Sequence, residues 1–174
     1  MHGSKLTMLK NLRRAAVNIN VENHMGLLRK NKEVIYGQQG LERFVEAQKR
    51  DYNIALKEVQ NGKKETHWIW YIFPQMLGLG RSCYANLYGI KNKEEAEEYL
   101  KHKVLGKRLR EVTNALLEHE GKPADDIFGY PDTMKVNSSM TLFDSICPDD
   151  IFAQVLDKFY EGKRCKLTLE MLEK

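Results

Sequence analysis

Most of the residues able to do chemistry fall in two short stretches. The first is "HWIWYIFPQMLGLGRS", residues 67–82. His67 carries the one side chain whose ordinary pKa lies near neutrality, so it is the candidate general acid or base. Beside it, Trp68 and Trp70 offer rings for stacking and indole N–H groups that need a partner when buried, and Gln75 adds an amide. Arg81 could hold a phosphate or carboxylate in a two-pronged grip, and Ser82 opens a helix whose first N–H groups are free for an anion. A plain loop closed by a serine cap explains the same letters. The second stretch is "DTMKVNSSMT", residues 132–141. Asp132, Lys135 and Ser139 recur at three and four residues and share a helix face, with Ser138 about 100° away. Asp132 could orient His67 or act as a second acid, and Lys135 could supply charge. Adjacent serines inside a helix either permit close packing or line a polar pocket.

Together these residues suggest a pocket formed by residues 67–82 and 132–141 that binds a small anionic, nucleotide-like ligand, with acid/base catalysis by His67 if it is an enzyme. The alternative is a non-catalytic protein-interaction module in which the motifs are core and turn residues. No Ser-His-Asp order, phosphate-binding loop, dinucleotide fingerprint or carboxylate pair beside the aromatic run is present, so no particular reaction follows. The five histidines are scattered and the three cysteines form no Cys-x-x-Cys pair, which argues against a metal site and a disulfide framework and fits a reducing, cytoplasmic location; no cofactor is expected.

The elements that must position these residues read as helices. In residues 41–63, Leu41, Phe44, Val45, Tyr52, Ala55, Leu56 and Val59 recur at helical spacing and Asn61-Gly62 stops the run. "THWIWYIF" has strand-like composition but no partner strand, so a short buried helix is the better reading. Ser82 caps a further helix, and Asn92 with Glu95 has capping-box spacing. Leu105, Leu109, Val112 and Leu116 form one stripe ending near His119 and Gly121. One turn over "PADDIFGY", a helix opening at Pro131-Asp132, a helix ended by Gly162 and a short last one complete the chain. The expected class is all-α, with seven or eight helices and no sheet.

The formal charge of +4 sits at the front. Residues 1–40 carry seven Lys or Arg against Glu22 and Glu33, whereas the rest carries 21 basic against 22 acidic residues. We therefore expect a basic N-terminal extension over residues 1–38 and an all-α domain over 39–174. Nucleic-acid binding is not expected of so neutral a body, and no apolar run reaches the 18 or so residues of a membrane span. No protein partner is specified.

Three separated motifs, "HWIWYIFPQMLGLGRS", "HKVLGKRLRE" and "IFGYPDTMKVNSSMTLF", resemble one bacterial and fungal family, the domain of unknown function numbered 1810, over about residues 40–174. Lys103 stands where the family pattern has proline. The resemblance implies a compact all-α fold and no established activity. The label "calpastatin" often attached to the family does not suit this chain, since calpastatin is a repetitive disordered inhibitor and residues 40–174 have neither repeats nor a disorder-like composition.

Overall fold

The computed structural model describes residues 40–174; the basic extension and any nucleic-acid contact through it lie outside them. Among the described residues there are nine helices: α1 (Glu42–Gln60), α2 (Ile69–Ile72), α3 (Cys83–Leu87), α4 (Lys93–Lys101), α5 (Leu105–Leu117), α6 (Ala124–Phe128), α7 (Asp132–Ile146), α8 (Ile151–Tyr160) and α9 (Lys166–Leu172). The fold is all-α. The one ladder contact among them is an isolated parallel bridge between Met76 and Ile90.

The helices start and stop where local chemistry dictates. Ser82 Oγ accepts from the Ala85 N–H and Asn92 Oδ1 from the Glu95 N–H, so both expected caps form. The second half of the capping box is rerouted. Glu95 accepts from the Lys91 N–H at 2.8 Å and from Arg43 at 2.6 Å, and thereby ties α4 to α1. The stripe Leu105, Leu109, Val112 and Leu116 is buried, and each such side chain contributes roughly 1.5–3 kcal/mol. His119 bonds the Val59 carbonyl at 2.6 Å, clamping the end of α1.

Helix α7 is the axis of the fold, with α2, α4, α6, α8 and α9 packed on it. Being enclosed, it has no solvent stripe, and it carries buried Ser and Thr alongside Val136, Met140, Leu142 and Phe143. Three of its hydroxyls return to their own helix: Ser138 to the Met134 carbonyl, Thr141 to Asn137 and Ser145 to Thr141. That is a usual way for such residues to be accommodated inside a helix, and Thr141 Oγ1 also accepts the Cys165 N–H at 2.9 Å.

Candidate functional site

The short helix α2 is positioned from below by a buried carboxylate. Glu58, near the end of α1, accepts the Glu65 and Thr66 N–H groups at 2.8 and 3.0 Å, the Thr66 hydroxyl at 2.8 Å and the Trp68 indole N–H at 2.7 Å. Burial alone would raise this carboxyl, but the four donors outweigh it and hold it below the usual carboxylate range. Trp68 is fully buried, with Phe73 and Phe128 around its ring. The expected ligand-binding Trp68 is therefore in the core, and its N–H is already used.

Trp70 differs. It is half-buried, its ring stacks on Tyr84 of α3 at 5.1 Å and 26°, and its indole N–H has no hydrogen-bond partner among the described residues. The Lys135 ammonium lies 4.8 Å from the centre of the Trp70 ring, an arrangement in which the ring face attracts the cation. Lys135 also bonds Asp132 at 2.6 Å, and Lys64 bonds the other oxygen of Asp132 at 2.7 Å while lying 5.3 Å from the Trp68 ring. Burial would raise the Asp132 carboxyl; the two lysines outweigh it and hold the group below its ordinary range. One ionised carboxylate between two ammonium groups leaves one positive charge over, beside a half-buried indole.

The structure thus brings Trp70, Asp132 and Lys135 together and adds two residues that sequence reasoning missed. Lys64 precedes Trp68 by four residues, and Tyr84 and Tyr88 are a helical pair of aromatics; both spacings were visible signals. The other expected residues are apart from this cluster. His67 is exposed and its ring makes no hydrogen bond among the described residues, while its carbonyl lies 3.2 Å from the Tyr71 hydroxyl, which is bonded to Asp51 at 2.6 Å. No hydrogen bond links His67 to Asp132. Arg81 is exposed and forms no ion pair among the described residues, and Ser82 Oγ is occupied as the cap of α3. Gln75 is buried, with its amide beside Gly80. Gly78 does take a positive φ of 102°, whereas Gly80 is needed for room, since a Cβ there would stand 2.5 Å from that of Ala85.

The two serines separate. Ser139 is fully buried with no partner for its hydroxyl. Ser138 lines a cavity of about 340 Å³ with Asn137, Tyr160 and Cys165, and its hydroxyl lies 3.3 Å from the Cys165 sulfur. Burial would raise that thiol, but hydrogen bonds led by Ser138 and joined by the N–H groups at the start of α9 outweigh it and lower it. This cavity takes none of its lining from residues 67–82. Among the described residues no cluster of three metal-ligating side chains occurs, and no helix is long and apolar enough to cross a membrane.

A small all-α domain, with an aromatic and cationic cluster where α2, α3 and α7 meet, is the class that fold and geometry define. The chain belongs to the family described as "Protein of unknown function (DUF1810)", whose profile matches residues 38–172. It is similar to the crystal structure of the conserved hypothetical protein Rv1873 from Mycobacterium tuberculosis, at 41% identity over 77% of this chain and 96% of that one, with a TM-score of 0.75. No curated protein matches.

Proposed function

We propose that the protein binds a small anionic ligand bearing a planar ring, such as a nucleotide, at the face formed by Trp70, Tyr84 and Lys135. The observation that carries this reading is the half-buried Trp70, whose indole N–H has no partner among the described residues while a surplus cation sits on its ring. An incoming ring can pack against the exposed edges of Trp70 and Tyr84, its anionic group can meet Lys135, and the indole can donate to it. Arg81 and His67 are exposed on the neighbouring segment, where they can approach a ligand that extends beyond the cluster; in an enzymatic version His67 supplies the proton transfer. Asp132 acts by holding both lysines. The three unpaired cysteines support a cytoplasmic setting.

The test is calorimetric titration with nucleotides and nucleotide sugars, repeated on Trp70→Ala and Lys135→Ala. Binding should weaken at least tenfold in each while the circular dichroism stays native. Unchanged affinity in both variants would sink the reading. A protein-docking reading is favoured by one observation, the exposure of Tyr130 at 83%, Leu167 at 59% and Met134 at 57%; it predicts no ligand binding and loss of a partner in Tyr130→Ala.

A further inference from the structure

The turn and helix start read as "HKVLGKRLRE" line a second cleft, which shares no residue with the Trp70 face. A cleft of about 460 Å³ lies between α1 and the beginning of α5, within the size range of small-molecule sites. Leu56 and Val104 give it aliphatic walls, and Lys103, Lys107 and Arg108 give it charge.

Arg108 is the unusual member. Of the six described arginines, Arg43, Arg50, Arg110 and Arg164 each reach a carboxylate, at distances between 2.6 and 3.0 Å. Arg81 is exposed. Arg108 is half-buried with no carboxylate in reach. Its guanidinium carbon lies 4.6 Å from the centre of the Tyr52 ring, and its one hydrogen bond among the described residues is a long 3.5 Å contact to Gln48. The arginine is held in place by stacking while most of its donors remain available.

The one acid of the cleft does not neutralise it. Glu111 accepts the Tyr52 hydroxyl at 2.7 Å and forms no ion pair with Lys107 or Arg108. Burial, and then Glu111, push the Tyr52 hydroxyl far above its ordinary value, so it stays a neutral donor to that carboxylate. Lys103 and Lys107 are exposed and have no acidic partner among the described residues. Three cations against one carboxylate leave two positive charges. The N–H groups of Val104 and Leu105 are taken by His102 Nδ1 at 3.2 and 3.3 Å, which fixes the turn carrying Lys103 and makes side chains, not a helix end, the source of the charge.

We propose that this cleft binds the phosphate of a small non-aromatic phosphate monoester. The phosphate takes the bidentate face of Arg108 and the ammonium groups of Lys107 and Lys103, and the aliphatic part lies on Leu56 and Val104. Two surplus positive charges match a phosphate dianion, and a guanidinium fork fixed by stacking is the donor geometry that phosphate accepts best. Tyr52 has its face covered by Arg108, which leaves no open ring for a base to stack on.

The test is calorimetric titration of the full chain with inorganic phosphate, glycerol 3-phosphate and glycerol. Both phosphates should bind and glycerol should not, with affinity falling as salt screens the cations. Lys107→Ala, an exposed position with no contact to lose, should weaken binding at least tenfold, and so should Arg108→Lys, which keeps the charge but not the fork. Lys135→Ala at the Trp70 face should leave it unchanged, so failure here and failure of the nucleotide reading are separable. No phosphate binding by folded protein would overturn the proposal. So would binding that survives both Lys107→Ala and Arg108→Lys, or that is lost in Lys135→Ala instead.

Discussion

Two tryptophans stand two residues apart and live under opposite conditions. Trp68 is fully buried and its indole N–H bonds a carboxylate that also gathers two backbone N–H groups and a hydroxyl. Trp70 is half-buried, its N–H has no partner among the described residues, and the carboxylate that its neighbour Lys135 bonds, Asp132, gathers two cations. Both acids are held below their ordinary range, by neutral donors in one case and by charge in the other. The first arrangement closes a loop upon itself and has nothing left to offer a ligand. The second leaves charge and ring exposed, which is why the Trp70 side is the functional candidate.

Changes at Glu58 should break that contrast most severely. Glu58→Ala strands the buried Trp68 N–H and two backbone donors, and should lower unfolding free energy by about 3–5 kcal/mol, read from urea unfolding followed by tryptophan fluorescence. Acid should act through the same group. The folded pKa of Glu58 lies below its unfolded value, so its stabilisation is complete above the unfolded pKa and is lost as pH falls through the folded one. Asp132 has the same sign. Stability should therefore drop steeply below about pH 4, and the drop should be shallower in Glu58→Gln; identical acid limbs would deny Glu58 this part.

Trp70→Ala should cost about 1–2 kcal/mol, less than a fully buried tryptophan, because part of its surface already faces water. Equal losses at Trp68 and Trp70 in parallel melts would erase the distinction between the two positions. The smallest effect is expected at His67, where the exposed ring has no bond to lose: His67→Ala should stay within about 0.5 kcal/mol of the parent, and a larger loss would assign His67 a structural part.

The helical class, the caps at Ser82 and Asn92 and the α5 stripe were legible because each depends on neighbours within four residues. The Asp132–Lys135 pair was legible for the same reason. What the sequence could not show were meetings across the chain: Lys64 with Asp132, 68 residues apart, and Trp70 with Tyr84 depend on how α2, α3 and α7 pack. The role of Trp68 was hidden likewise, since nothing in "HWIWY" says which indole Glu58 will take. Ser139 reads as a polar site residue, yet it lies in the core, because α7 is enclosed by five other helices and small size, not polarity, is what its position requires.

The Met76–Ile90 bridge has a further consequence. Leu77 N–H bonds Ile90 O at 2.8 Å and Ile90 N–H bonds Gln75 O at 2.9 Å, and Gly89 makes room for this approach, since a Cβ there would come within 2.6 Å of the Leu77 backbone. The segment between them, which carries Tyr84, therefore leaves and re-enters the domain at one point. Lengthening such a closed excursion costs little, because closure entropy grows only slowly with length. Evolution or an engineer can exchange it as a cassette, altering what stacks on Trp70 while the helices beneath keep their places.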